Sequence, residues 1–203
     1  MSTVDHPHGF QPWGPILRAR LYAVPTAPTI AFYHGDLVQA EITGVAVSKY
    51  LGAGTHIEDD AVIQAAPGAT IHILGTTLAI FDSNMDPLLY MPVGTVGDGT
   101  TAGYLLVADH PDQLYEAQGD TAFALADLDL NYNVTSVALN AGDTATGISK
   151  QEIAISGAAV TTTLPIRLYG QSHPDQDTYS DVGCRMICTI NPTCHYYGAG
   201  TAV

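Results

Sequence analysis

The sequence predicts an all-β protein, a β-barrel or jelly-roll-like sandwich, with an extended proline-rich N-terminal arm and one short helix. Three observations lead there. From Ile30 onward, short β-branched and aromatic runs are separated by Gly, Pro, Asn and Asp turn signals. Five of the twelve prolines (Pro7, Pro12, Pro15, Pro25 and Pro28) fall in the first 30 residues. Charged residues make up 13% of the 203 against 46% apolar, a composition of a folded chain and not of a charge-solvated disordered one.

Taken in order, residues 1–30 read as a segment of their own. Proline at this density opposes helix and central strand and favours extended chain. The segment also carries the single tryptophan, Trp13, with Phe10, Ile16 and Leu17. Those side chains either pack on the chain's own domain or lie across a neighbouring subunit, where aromatic anchors dominate interface energy. Residues 31–203 form the β domain.

Within it, Leu37 to Val47 alternates as a strand pair, and Ala61–Gln64 ends at the turn dipeptide Pro67-Gly68. Thr70–Leu74 runs to Gly75, Leu78–Phe81 stops at Asp82-Ser83-Asn84, and Leu88–Met91 stops at Pro92. Gly103–Ala108 reads as a fully buried strand and Leu114–Gln118 as another. Thr121–Leu130 is the expected helix, with Ala122, Leu125, Ala126 and Leu130 near helical spacing and Asp120 or Thr121 as cap. Strands resume at Glu152–Ile155, Thr163–Tyr169 and Arg185–Ile190; Pro165 restricts its strand to an edge, a start or a bulge.

The net charge is −14, with 20 acidic residues against six scattered cations: Arg18, Arg20, Lys49, Lys150, Arg167 and Arg185. Six dispersed cations do not build the basic patch that phosphate neutralisation needs, so nucleic acid is not an expected partner. No apolar run approaches the roughly 18 residues of a membrane span. The N-terminus lacks the basic and apolar regions of a signal peptide, which predicts synthesis in the cytoplasm and makes the sequon Asn133-Val134-Thr135 irrelevant.

Candidate chemistry is sparse. Cys184, Cys188, Cys194 and His195 offer four soft ligands, but the paired Cys-x2-Cys knuckle is missing and Cys184, Met186, Cys188 and Ile190 share one strand face. Buried thiols are the expectation, with no metal, cofactor or disulfide. Asp127, Asp129, Asn131 and Asn133 alternate as calcium ligands do, without the turn glycine or the distal glutamate, and fit an amphipathic strand or a helix exit better. Of the eight histidines, Asp109-His110 and His173-Pro174-Asp175 place carboxylates beside imidazoles in turns. No nucleophile elbow, phosphate loop or dinucleotide fingerprint is present, and Glu58-Asp59-Asp60 is the acid cluster that a hydrolase reading would use. The chain is expected not to be an enzyme.

Several stretches resemble the head decoration, or cement, proteins of tailed bacteriophages. They are His6-Pro7-His8-Gly9-Phe10 leading into Arg18-Ala19-Arg20-Leu21-Tyr22, Tyr33–Val38, Tyr104–Asp112, Leu114–Asp120 and Leu164–Gly170. The Cys-rich C-terminal stretch departs from that pattern. The resemblance implies a structural virion protein on the capsid exterior, bound to the major capsid protein and to itself as a homo-dimer or homo-trimer, with Phe10, Trp13, Ile16, Leu17, Arg18 and Arg20 as partner contacts. The alternatives are a tail-tube, adaptor or fibre-base virion protein, and a cell-wall or polysaccharide hydrolase or binding module.

Overall fold

The computed structural model describes residues 7–40, 57–58, 62–64, 73–135, 142–160 and 164–197. The described chain is almost all β, with 46% of it strand and 2% helix, in two main sheets that are curled and mainly antiparallel. The strands are β1 (Gln11–Trp13), β2 (Ala19–Pro25), β3 (Leu37–Ala40), β4 (Ile57–Glu58), β5 (Val62–Gln64), β6 (Ile73–Asp82), β7 (Pro87–Leu88) and β8 (Thr101–Ala108). They continue as β9 (Leu114–Gln118), β10 (Asn131–Val134), β11 (Gly142–Asp143), β12 (Ile148–Ser149), β13 (Ile153–Ala159), β14 (Ile166–Gln171) and β15 (Arg185–Ile190).

A six-stranded sheet runs β1-β9-β15-β14-β10-β13, and a seven-stranded sheet runs β4-β2-β8-β6-β3-β5 with β7 on β6. The six-stranded sheet curls until Gly119, just past β9, bridges Ile153 of β13. Its inner face is set by alternation: Tyr115 and Ala117 of β9 and Met186, Cys188 and Ile190 of β15 point inward and join Tyr132, Ile153, Ile166 and Leu168 in one core. A second core, with Tyr22, Val24, Phe32, Val38, Leu74, Ile80, Met91, Leu105 and Val107, fills the concave side of the other sheet.

The expected strands at Leu114–Gln118 and Arg185–Ile190 form with those boundaries. Asn131–Val134 is a strand, as its alternation predicts. Gly75 does not end a strand. β6 runs through it, because a Cβ there would collide with the Ala108 carbonyl of the neighbouring strand, so only glycine permits the pairing. Leu88–Met91 shortens to β7, after which Met91 makes a single bridge to Phe32.

The helix expected over Thr121–Leu130 reduces to one 3-10 turn, Leu125–Asp127. Leu125 is 69% exposed and meets no surface to pack on, and only Phe123 enters the core. The Asp127 carboxylate accepts the Ala124 N–H at 2.6 Å, and Asp129 turns to φ 63°. A segment this short holds a helix only through packing of one continuous face, and here Leu125 and Ala126 of the expected apolar face stand exposed.

Over its described part the proline-rich segment packs on the chain's own domain, one of the two placements open to its side chains. β1 lies on β9, while β2 sits inside the larger sheet between β4 and β8, with Tyr22 and Val24 fully buried. Its prolines are tolerated because Pro12 occupies the outermost strand and Pro25 ends β2 at a register shift.

Candidate interaction surface

The six expected contact residues separate into three groups. Phe10 is fully buried in the chain's own core and offers a partner nothing. Its place is fixed by the backbone, whose N–H donates to Gly35 O at 2.8 Å and whose carbonyl accepts the Thr76 hydroxyl at 2.6 Å. Ile16 and Leu17 stand 51% and 50% exposed on the connection between β1 and β2. Trp13 is half-buried on β1, opposite Leu114, and meets the His173 ring edge-on at 5.6 Å.

Arg18 and Arg20 turn inward to Asp109. This carboxylate is fully buried and accepts Arg18 Nε at 2.7 Å and the Tyr22 hydroxyl at 2.6 Å, with Arg20 Nε at 3.5 Å. Arg18 also donates through Nη2 to the Asp109 carbonyl at 2.8 Å. The position follows from topology. Ala19 pairs with Ala108 at the end of β2 and β8, so Arg18 and Asp109 are the next residues on the two chains leaving that sheet together.

A third passage between the sheets meets them there. After β15 the chain runs through Cys194 to Tyr197, held by Ile73 N–H to Cys194 O at 2.8 Å and Tyr196 N–H to Ile73 O at 3.0 Å. The Tyr197 ring takes both guanidinium groups, Arg18 at 4.7 Å and Arg20 at 5.0 Å, and its hydroxyl accepts Arg20 Nη1 at 3.1 Å. Burial and the Asp109 hydrogen bond drive the Tyr22 phenol far above its ordinary range, which keeps it a neutral donor.

His195 is fully buried in this junction. Its Nδ1 accepts the Tyr197 N–H at 3.1 Å, and its buried Nε2 has no hydrogen-bond partner among the described residues. Desolvation pushes its pKa down to about 4, against the opposing pull of Asp109.

On the outer face of β9 a second polar group flanks Trp13. Glu116 lies 3.7 Å from His8 Nε2 and 3.2 Å from His173 Nδ1, and Arg185 pairs with the buried Asp177 at 2.9 Å. His8 Nδ1 meets the Gly9 carbonyl at 3.1 Å. Desolvation lowers the His8 pKa, opposed by Glu116. Sequence reading missed this cluster, whose only signal was the alternation that turns Glu116 outward between Tyr115 and Ala117.

Of the candidate ligands, Cys184 and Cys188 join the first core and Cys194 reaches it from the turn beyond; all three are buried and none forms a disulfide. Burial drives the Cys188 thiol far above its usual range. Among the described residues no group of three or more His, Cys, Asp or Glu side chains is arranged to hold a metal ion. Of Glu58-Asp59-Asp60, only the backbone of Glu58 is described; Asp59 and Asp60 lie outside the described residues. The Ser149 hydroxyl donates to Asp36 at 2.5 Å, a buried link between the two cores. Comparison with family models, curated proteins and solved structures gives no match.

Proposed function

We propose that this chain is a structural virion protein that decorates the outside of an icosahedral phage head and bridges its shell subunits. The observation that carries the reading is the Ile16–Leu17 pair: two half-exposed aliphatic side chains on a connection anchored at both ends. Trp13 pairs into β1, Leu17 N–H donates to Gln113 Oε1 at 3.0 Å, and Arg18 is tied to Asp109. A pre-ordered apolar contact loses little conformational entropy on docking. Covering the exposed halves of the two side chains would contribute about 1 kcal/mol each, which is weak singly and effective across many copies on one shell.

The resemblance to decoration proteins supports the reading, as does the acidic balance, which disfavours contact with packaged nucleic acid. The contact set narrows to Trp13, Ile16 and Leu17, while Arg18 and Arg20 position them from behind. Self-association as a dimer or trimer is expected on the same grounds. Quantitative mass spectrometry of gradient-purified particles tests the role. Copy number near that of the major capsid protein is the expected result. A handful of copies per particle would move the chain to the tail or portal, and absence from particles would overturn a virion role.

A further inference from the structure

The three passages at Asp109 put the C-terminal stretch in contact with the proposed surface. Arg18 follows Leu17 directly, and its guanidinium is held by Asp109 on one side and by the Tyr197 ring on the other. Tyr197 in turn is placed by Arg20, by the Tyr22 hydroxyl at 3.1 Å, by the edge of Tyr196 and by the tilted His195 ring. Backbone hydrogen bonds to Ile73, and from Cys194 N–H to Asn191 O at 2.8 Å, hold the rest of this short stretch. It is a strap with one buried imidazole at its centre.

The surroundings of that imidazole favour its neutral form. The ring is fully buried, its Nδ1 is occupied by the Tyr197 N–H and it lies 6.2 Å from the Tyr197 ring; the charge of Asp109 favours a proton there, and those of Arg18 and His110 oppose it. Asp109 is already engaged by Arg18, Arg20 and Tyr22, so an imidazolium would add a third cation around one carboxylate without gaining water. A proton on His195 is accommodated best when the strap leaves its seat.

We propose that Cys194–Tyr197 is a proton-sensitive strap that, when closed, holds the Ile16–Leu17 connection in its presenting conformation. Opening withdraws Tyr197 from between Arg18 and Arg20, and the connection then keeps Asp109 and Gln113 as partners but loses its packing. This inference rests on the surface reading above and adds its regulation.

Cys194 is a built-in reporter: both thiols are buried in one core, but Cys194 enters it from the strap whereas Cys188 enters it from the middle of β15. The test is labelling of the isolated full chain with an aromatic disulfide reagent that reacts in acid, between neutral pH and about pH 4, with each thiol assigned by peptide mass spectrometry. Expected is labelling of Cys194 about tenfold or more ahead of Cys188, as a local opening produces. In parallel, hydrogen exchange over residues 14–20 should rise in acid. At neutral pH it should also rise in Tyr197→Phe, which keeps the ring and loses the hydroxyl. His195→Gln should delay Cys194 labelling to more acid pH; should that variant fail to fold, the order of the two thiols in the natural chain still decides. Simultaneous exposure of Cys194 and Cys188, or an exchange rate over residues 14–20 indifferent to strap opening, would overturn the proposal. No partner is present in these measurements, so they stand or fall separately from shell binding, whose failure at neutral pH would count against the surface reading alone.

Discussion

Arg18 Nε sits 2.7 Å from Asp109 Oδ1 at the point where β2 and β8 leave one sheet side by side. The carboxylate is fully buried, while the arginine side chain is 30% exposed. The pair is thus anchored on one side and solvated on the other, so the desolvation cost of burying both charges is avoided. Asp109 also gathers Tyr22 and Arg20, and through them Tyr197. It acts as the fastener between the two cores.

Replacing Asp109 by Asn should therefore cost about 2–3 kcal/mol, toward the low end for breaking a buried ion pair because the two arginines can turn to water. Tyr22→Phe should cost about 1 kcal/mol, the value of one hydrogen bond. Urea unfolding midpoints check both. The double variant should lose less than the sum, since the two groups share one contact.

Acid should destabilise the fold through its buried histidines. His195 and His8 both have folded pKa values below the unfolded 6.5, His195 at about 4. The unfolded chain then binds more protons than the folded one in this window, so stability falls with falling pH. The contribution is whole above pH 6.5 and is lost as pH drops toward about 4, on the order of 3 kcal/mol for His195. Thermal unfolding followed across this range should show the decline, and His195→Gln should flatten it.

Gly75→Ala should be among the most damaging single changes. The added methyl would meet the Ala108 carbonyl, a backbone atom with no freedom to swing aside, at the end of the β6–β8 ladder. A cost of about 3 kcal/mol or more is expected, read as a lowered unfolding midpoint or as insoluble product.

The three thiols should resist alkylation at neutral pH until the chain unfolds, with Cys188 the most inert, being buried and held protonated. Cys188→Ser should cost about 1–3 kcal/mol by burying a hydroxyl without a partner. A zinc chelator should leave the unfolding midpoint unchanged.

Ile16→Asp and Leu17→Asp should leave stability within about 0.5 kcal/mol, since both side chains stand half in solvent. They should nevertheless abolish sedimentation of the chain with shells. Phe10→Ala should do the reverse, unfolding the domain at a cost of about 3–5 kcal/mol.

Alternation along the chain determined much of the architecture. Tyr115 and Ala117 against Leu114 and Glu116, or Met186, Cys188 and Ile190 against Arg185 and Ile187, state which face is buried before any partner strand is known. The thiols could be read as core for the same reason, and the exposure of Ile16 and Leu17 agrees with their proline-rich surroundings. The reduction of Thr121–Leu130 to one turn was not legible, because its spacing fits a helix and only the folded chain leaves Leu125 and Ala126 exposed. The N-terminal segment left its placement open in the same way: proline density describes local preference, whereas β2 is a strand because β8 supplies a ladder along its length. Asp109 and Arg18 are 91 residues apart, and His8, Glu116 and His173 are separated by comparable stretches of sequence. No local pattern encodes such meetings. They depend on which strands leave a sheet at the same point, and the folded chain alone decides that through long-range pairing.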